Sequence, residues 1–169
     1  QFRGLRKDIE RLALGSYIAE LLEAVSDEDC PEPEILQLGL NSLYALASGT
    51  YPQELVKAAF ELRLMCLSGY RPELEGCANC AKVEMESGYI VPAHGELYCE
   101  DCPRPDGLPL DGAVIKAMRY IVDAEPKRIF SFRLDAEALK RLGQVCEAYL
   151  LYELDRGFAS LDYYKKVRK

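Results

Sequence analysis

The chain has 169 residues, of which 49% are hydrophobic and 29% charged, and its net charge at neutral pH is −7. This length suits one domain, or one domain with a small insert, and the apolar content is enough for a core. No apolar run approaches the roughly 18 residues that suggest a membrane span. A protein that bound nucleic acid with its whole surface would be basic. The composition therefore argues against a membrane-spanning protein and against one that binds nucleic acid with its whole surface.

Two helices are predicted in the first third of the chain. Hydrophobic periodicity predicts the first over residues 7–25, and the acidic, proline-containing segment 26–33 interrupts it. Pro33 suits the first turn of a second helix that ends at Ser48, before Gly49. Its apolar residues point in most directions, so we expect this second helix to be the central one. The residues expected on the buried side of the first helix are Ile9, Leu12, Ala13, Ser16, Tyr17, Leu21 and Val25.

A third helix is predicted between Pro52 and Gly69, and it carries an arginine on an apolar face. Lys57 and Glu61 fall on the side predicted to be polar, whereas Arg63 lies among apolar neighbours. Such a guanidinium needs an internal carboxylate, a rim position that keeps its charge in water, or an external anion. The candidates for binding an anionic partner beside a hydrophobic groove are Arg63, Lys57, Val56, Phe60 and Leu67.

Four of the seven cysteines form two close pairs, Cys77 with Cys80 and Cys99 with Cys102, in the pattern C-x₂-C-x₁₈-C-x₂-C. Two residues between cysteines let both sulfurs face one ion, and a hairpin between the pairs brings all four together. Four thiolates complete the tetrahedral shell of Zn²⁺ and leave no open position for a substrate. The pattern therefore predicts a structural zinc site.

Three other interpretations of the four cysteines stay open. Iron in an S₄ site has the same ligand set. Two disulfides would suit a secreted domain, but the cysteine count is odd and no signal peptide is visible. A redox C-x-x-C motif usually occurs once and beside a βαβ pattern, which is absent around both pairs. We expect a reducing compartment, most simply the cytoplasm.

The segment between the cysteine pairs has strand character. Residues 89–91 and 97–98 flank a turn at 92–95, which predicts a short β-hairpin. The single histidine, His94, falls in this turn and is interpreted as an exposed turn residue, because four cysteines already fill the metal shell. Residues 103–105, Pro-Arg-Pro, form a stiff exit.

Helices resume after the hairpin. One is predicted over residues 111–124, and a longer one is capped by Asp135 and ended by Gly157, with a short segment after it. Cys66 and Cys146 lie on apolar faces, and Cys30 lies in a loop. The predicted fold class is therefore mainly α: a helical bundle, residues 1–72 and 107–169, interrupted by a small zinc ribbon with a β-hairpin at residues 73–106.

Basic residues concentrate at the two ends of the chain, although the whole is acidic. Solvated helix faces would explain them, and contact of the termini with nucleic acid is the alternative. With one histidine and no phosphate-binding loop, most acid–base and nucleophilic constellations cannot be assembled, so we expect neither an enzyme nor a small-molecule substrate. The candidate DNA-binding residues are Arg3, Arg6, Lys7, Arg11, Lys165, Lys166, Arg168 and Lys169.

Several segments, taken in order, resemble the RecO family of bacterial DNA repair proteins. The most specific is AFELRLMCLSGYRP, residues 59–72, which leads into the first cysteine pair. FRGLRKD at residues 2–8 is similar to the start of that family's helical domain, and HGELYCEDC at 94–102 to its second metal knuckle. LYEL at 151–154 and SLDY at 160–163 are similar to its last helix and tail.

The resemblance implies an N-terminal OB-fold followed by a helical domain with a zinc ribbon. Since the chain starts with Gln1 inside a polar, helix-forming run, we expect that the OB-fold precedes it and is missing here. The resemblance also implies a recombination mediator without covalent chemistry. Its partners would be RecR, the C-terminal tail of single-strand binding protein, and single-stranded DNA bound mainly by the OB-fold. Some relatives lack the cysteines, which implies that the metal stabilises the fold more than it acts.

Two departures and two alternative functions accompany the resemblance. Ala81 and Pro103 stand where zinc knuckles often have glycine, at a turn that favours left-handed geometry, and the family's paired glycines before the second knuckle are reduced to His94-Gly95. A stand-alone nucleic-acid-binding zinc ribbon is one alternative function, but acidic residues outnumber Lys82 and Arg104 there. A thiol redox protein is the other, and the acidic neighbours of Cys102 disfavour a reactive thiolate.

Overall fold

The computed structural model describes residues 3–26, 32–103 and 105–168, with the exception of the Lys7 side chain. Cys30, Arg104 and Lys169 therefore lie outside the described residues. Six α-helices and a three-stranded antiparallel sheet make up the described part, which confirms the predicted fold class. Among the described helices, none combines the length and hydropathy needed to cross a bilayer.

The sheet lies between the third and fourth helices in the chain. A 3₁₀ turn at Leu5–Lys7 precedes the first helix. The helices are α1 (Ile9–Val25), α2 (Pro33–Ser48), α3 (Gln53–Leu67), α4 (Gly112–Asp123), α5 (Ala136–Leu154) and α6 (Ala159–Val167). The strands are β1 (Ser87–Val91), β2 (Glu96–Cys99) and β3 (Leu108–Asp111).

Side-chain caps explain where three of the six described helices begin. The Asp8 carboxylate accepts from the backbone N–H groups of residues 10 and 11, and those of Asp111 and Asp135 accept from N–H groups three residues on. Gly49, with φ +68°, ends α2 as predicted. The prediction that Gly157 ends the long helix was wrong: Asp155, with φ +46°, is the C-cap. An aspartate tolerates the left-handed region better than most residues, which explains why the helix can stop there.

The central helix of the bundle is α3 and not α2, so that prediction was wrong. Helix α3 packs against α1, α2, α4 and α5, and its residues from Leu55 to Leu62 are all buried. In α2, Leu36 and Leu40 remain 60% and 45% exposed. Apolar residues all around a helix therefore did not indicate burial on all sides here. In α1, too, Ile9 and Leu12 are exposed, whereas Leu14 and Ile18 are buried in their place.

Helix α3 also buries two charged residues that the sequence placed on a polar side. Lys57 is 5% exposed and Glu61 fully buried. The Lys57 ammonium lies 2.7 Å from a carboxylate oxygen of Glu61 and 2.7 Å from one of Glu147 on α5. The Tyr17 hydroxyl of α1 donates to Glu61 at 2.8 Å, and Lys165 of α6 pairs with Glu147. We call these five residues the buried charge network.

Titration in the buried charge network follows from burial and from its ion pairs. Burial alone would lower the pKa of Lys57, but the carboxylates of Glu61 and Glu147 raise it above its ordinary value. Burial raises the pKa of Glu61 despite its pairing with Lys57. Burial also acts to raise the pKa of Glu147, but Lys57 and Lys165 lower it overall. Lys57 and Glu147 are therefore ionised at neutral pH.

The sheet has the order β2-β1-β3, with β1 in the middle. The hairpin of β1 and β2 confirms the predicted one and pairs Gly88 with Cys99 and Val91 with Glu96. Sequence reasoning missed β3, which lies beyond residue 106, where the predicted insert ends. Pro109 explains why β3 was not predicted, because a proline argues against a strand in the interior of a sheet. The strand exists because β3 lies at the edge of the sheet, where proline is tolerated.

One arginine ties the ribbon to the bundle. The guanidinium of Arg119 in α4 donates to the carbonyl oxygens of Leu74 at 2.7 Å, Glu75 at 3.1 Å and Val83 at 2.9 Å. These three carbonyls belong to the segment on either side of the first cysteine pair. The position of that segment is therefore fixed from the helical side as well as from the sheet.

Replacing the buried cation should destabilise the fold in a pH-dependent way. We expect Lys57→Met to lower the free energy of unfolding by about 3–5 kcal/mol at neutral pH, because it leaves Glu61 charged and unpaired in the core. The pKa of Glu61, already raised, rises further without the cation. Protonation then relieves the buried charge, so the loss should be larger near pH 8 than near pH 5. Urea unfolding of the wild-type and variant chains at pH 5 and pH 8 measures this loss in the free energy of unfolding.

The matched control is Lys116→Met, which removes an exposed lysine from α4. It should change stability by less than about 0.5 kcal/mol at either pH. Equal losses for the two variants, or a Lys57→Met loss that does not depend on pH, would contradict the role of the buried charge network.

Candidate metal centre

The first cysteine pair sits on a tight turn between the end of α3 and β1. The Cys77 N–H donates to the Lys82 carbonyl at 2.9 Å, and the Ala81 N–H donates to the Cys77 carbonyl at 2.8 Å. Ala81 takes φ +60°, the left-handed geometry for which zinc knuckles often use glycine. The turn thus keeps this geometry in spite of its alanine.

The second cysteine pair follows from β2. Cys99 is the last residue of that strand, and Cys102 closes a turn in which its N–H donates to the Cys99 carbonyl at 3.4 Å. The two turns are joined directly, because the Ala78 N–H donates to the Leu97 carbonyl at 2.7 Å. The hairpin therefore delivers the second pair beside the first, as the spacing predicts.

The four sulfur atoms of Cys77, Cys80, Cys99 and Cys102 all lie within 4.8 Å of one another. The Sγ atoms of Cys80 and Cys99 are 3.7 Å apart. Cys77 and Cys99 are buried, Cys102 is half-buried and Cys80 is exposed. A tetrahedral ion with metal–sulfur bonds of about 2.3 Å needs sulfurs nearly this close, so the donor set fits one metal ion.

Backbone hydrogen bonds prepare one of these sulfurs to act as a thiolate. Burial alone would raise the pKa of the Cys77 thiol, but N–H groups of Cys99, Cys80 and Asn79 lower it to about 6. At Cys102, a hydrogen bond from the Asn79 side chain acts to lower the pKa of the thiol. Hydrogen bonds with the neighbouring cysteines and partial burial outweigh it and raise this pKa to about 12. Four thiols this close cannot all ionise without a cation, which is the behaviour expected of a metal site.

The surroundings of the cluster are acidic, but among the described residues the group that could hold a metal consists of the four cysteines alone. Lys82 pairs with Asp101 at 3.5 Å, and Ser87 donates to Glu100. His94, exposed at the hairpin turn, lies 3.6 Å from a Glu96 oxygen and outside the cluster of sulfurs. This arrangement can hold a metal, but it offers no open coordination position.

The residues predicted to bind an anionic partner are only partly brought together. Val56 and Phe60 are fully buried, and Lys57 belongs to the buried charge network. The half-buried Arg63 and Leu67 line a cavity of about 260 Å³ between α2, α3 and the connector after α4. The other lining residues, which the sequence did not suggest, are Pro33, Glu34, Gln37, Leu38, Pro126 and Ile129.

Arg63 also caps α4. Its Nη1 donates to the carbonyl oxygens of Ile121 at 3.0 Å and Val122 at 2.8 Å. Arg71 shares the second acceptor, donating from Nη1 at 2.9 Å, and pairs with Asp123. Two guanidinium groups at the negative end of α4 complement its dipole. Within the described residues, neither Nε nor Nη2 of Arg63 has a recorded acceptor.

The two basic ends of the chain lie at the same end of the bundle. Ser160, at the start of α6, donates to Glu20 near the end of α1, so the two helices run antiparallel. Helices α1 and α6 pack against each other, so the end of α6 lies beside the start of α1. This shared end carries Arg3, Arg6, Arg11, Lys165, Lys166 and Arg168.

Not all of these basic residues are free of partners. Arg11 lies 3.5 Å from Asp8, Lys165 pairs with Glu147, and Arg168 lies 3.6 Å from Glu54. Arg3, Arg6 and Lys166 are exposed. The Lys7 side chain and the whole of Lys169 lie outside the described part of the chain.

Comparison with known proteins gives a consistent result. The family described as "Recombination protein O C terminal" matches residues 6–162. A protein of Acetivibrio thermocellus named DNA repair protein RecO is 31% identical over 169 residues, covering 98% of this chain and 67% of the relative. Proteins of the same name from Dehalococcoides mccartyi and Roseiflexus are each 32% identical, covering 92% and 100% of this chain and 62% and 60% of the relatives.

The chain therefore spans about two thirds of the length of the relatives it matches. The matched residues contain α1 to α5, the three strands and the start of α6, and both cysteine pairs lie within them. On this match, the chain belongs to the RecO family and corresponds to its C-terminal region.

Proposed function

We propose that the chain is the non-catalytic, partner-docking part of a cytoplasmic DNA repair and recombination mediator. The family match over residues 6–162, together with relatives named DNA repair protein RecO, carries this proposal. Single-stranded DNA binding and annealing belong mainly to an OB-fold outside the chain, with the basic end of the bundle as an accessory site. RecR is proposed as a partner on the resemblance alone.

The two alternative functions find less support. A stand-alone nucleic-acid-binding ribbon would need basic residues, yet Glu84, Glu86, Glu100 and Asp101 are exposed around the cysteines. A thiol redox protein would need an exposed thiol beside positive charge. Cys80 is the exposed cysteine of the cluster, and Lys82, two residues further on, is paired with Asp101.

The metal proposed for the four cysteines is Zn²⁺ in a structural role. Four sulfurs at tetrahedral spacing favour Zn²⁺ or iron, and a site closed by four thiolates offers zinc no catalytic position. When bound, the ion holds the two knuckles together. Cys77, Cys80, Cys99 and Cys102 then act only as ligands.

The zinc proposal is tested by metal content. Protein made without added metal should contain one zinc per chain by elemental analysis, and Cys80→Ser should lose most of it, because three thiolates bind Zn²⁺ more weakly. Cys80 is exposed, so its replacement disturbs no packing. The control Cys66→Ser, away from the cluster, should keep its zinc. Iron in place of zinc, or full zinc in Cys80→Ser, would contradict the assignment.

The left-handed residue of the first knuckle gives a second test. Ala81→Gly should strengthen zinc binding, because glycine adopts φ +60° without the strain of about 1 kcal/mol that alanine bears there. Competition with a chelator measures the difference. The control Ala78→Gly, in the same exposed turn without positive φ, should bind zinc no more tightly. A weaker site in Ala81→Gly would show that the turn geometry is not strained.

We propose that the cavity beside Arg63 docks the C-terminal tail of single-strand binding protein. By the resemblance, this peptide ends in acidic residues followed by an apolar aromatic terminus. Leu38, Leu67 and Ile129 supply an apolar lining, and Arg63 supplies a cation at its edge. Val56 and Phe60 are fully buried and do not line the cavity, so the docking proposal does not include them.

Peptide titration tests this docking site with a matched pair of arginines. Arg63→Ala should weaken binding of the tail peptide by about 1–3 kcal/mol, because it removes a charge-assisted contact. Arg71→Ala removes the same kind of cap from Val122 but lies outside the cavity, so it should leave binding unchanged. Both variants should melt at lower temperature. Unchanged peptide affinity in Arg63→Ala would show that Arg63 only caps α4.

A further inference from the structure

A second cleft, of about 240 Å³, lies between the start of α3, the first half of α5 and the end of α6. Sequence reasoning did not identify it, because its walls come from three separate parts of the chain. Lys165 and Arg168, two residues of the basic end of the bundle, line the side of the cleft that the end of α6 forms. Its other lining residues are Glu54, Lys57, Leu139, Lys140, Gly143, Gln144 and Glu147.

Gly143, which lines the cleft, has no packing explanation. It lies in the middle of α5, where glycine is disfavoured relative to alanine. An ideal Cβ on Gly143 would meet no atom within 4 Å, so no neighbouring element needs the missing side chain. The glycine leaves helix backbone open to the cleft, which lets a ligand approach closely.

Two of the cations that line the cleft form ion pairs with carboxylates that also line it. Glu147 pairs with both Lys57 and Lys165, and its pKa lies below the ordinary value, so it stays ionised and fixes the Lys165 ammonium at the wall. Arg168 lies 3.6 Å from Glu54, a long contact that an anion can replace. Lys140 forms no ion pair with any residue that the structure describes. The cleft is thus lined by one cation without an ion pair among the described residues, Lys140, and by two whose ion pairs are with carboxylates that also line the cleft.

We infer that this cleft binds one phosphate group of a single-stranded nucleic acid. Lys140, Lys165 and Arg168 donate to the phosphate oxygens, and Gly143 allows the backbone of α5 to come close. A compact anion suits a small cleft whose donors converge from two helices. Lys166 follows Lys165 in the chain, and the exposed Arg3 and Arg6 precede α1 at the same basic end of the bundle, so a bound strand can continue towards them. The inference rests on the proposed accessory DNA binding and deepens it.

The test is a salt titration of the 169-residue chain with a fluorescently labelled oligothymidylate. Lys140→Gln should weaken binding by about 3–10-fold and reduce the slope of log affinity against log salt by about 0.7, the contribution of one phosphate contact to a single strand. The matched control Lys127→Gln removes an exposed lysine from the connector after α4. It should leave affinity and slope unchanged.

Gly143→Gln separates binding from folding. It fills the cleft with a neutral side chain and replaces glycine by a better helix former, so the melting temperature should rise while oligothymidylate affinity falls at least as far as in Lys140→Gln. Inorganic phosphate, substituted for chloride at constant ionic strength, should displace the labelled oligothymidylate from the wild-type chain if a free phosphate fits the cleft. Competition only by the oligonucleotide would assign the site to a strand.

Wild-type affinity and slope in both Lys140→Gln and Gly143→Gln would overturn the cleft assignment and leave accessory DNA binding elsewhere on the basic end. Absence of oligothymidylate binding by the wild-type chain would overturn the cleft assignment and the accessory DNA role together. Docking of the tail peptide at the cavity beside Arg63 is measured by peptide titration and does not depend on either result.

Discussion

The buried charge network on α3 is the interaction on which the arrangement of the helices depends. Because α3 is enclosed by α1, α2, α4 and α5, any polar side chain that it buries must find its partners inside the protein. Lys57 and Glu61 do so through Tyr17 of α1, Glu147 of α5 and, by way of Glu147, Lys165 of α6. Removing one partner would leave a buried charge without compensation, so the network links α3 to α1, α5 and α6.

The same helix connects the core to the two candidate docking sites. Arg63, two residues after Glu61, reaches out to the end of α4 and to the cavity beside α2. Lys57 holds Glu147, which in turn orients Lys165 at the cleft between α5 and α6. The ribbon has three short strands that would not be stable alone, and Ile90, Leu97 and Leu110 pack into the same hydrophobic core as the helices. The turns that carry the four cysteines lie outside this packing and depend on backbone hydrogen bonds, on the carbonyl contacts of Arg119 and on a bound metal.

The sequence was informative where a local rule decides the structure. Caps such as Asp135 and Gly49 and the cysteine spacing predicted helix starts, a helix end and the hairpin, because each depends on a few neighbouring residues. Burial was less predictable. Periodicity placed Lys57 and Glu61 on a polar side, since their partners lie far away in the chain, in α1 and α5. The lining residues Pro126 and Ile129 and the shared position of the two basic ends follow from tertiary packing, which no local pattern encodes.

We expect the helices to stay folded without the metal, which stabilises the two cysteine turns and the hairpin that joins them. Native-state hydrogen exchange, measured by NMR before and after removal of the metal with a chelator, tests this expectation. The amides of β1 and β2 should lose protection, whereas those of α3 and α5 should keep theirs. Loss of protection in α3 and α5 together with the strands would contradict it, because core and ribbon would then unfold as one unit.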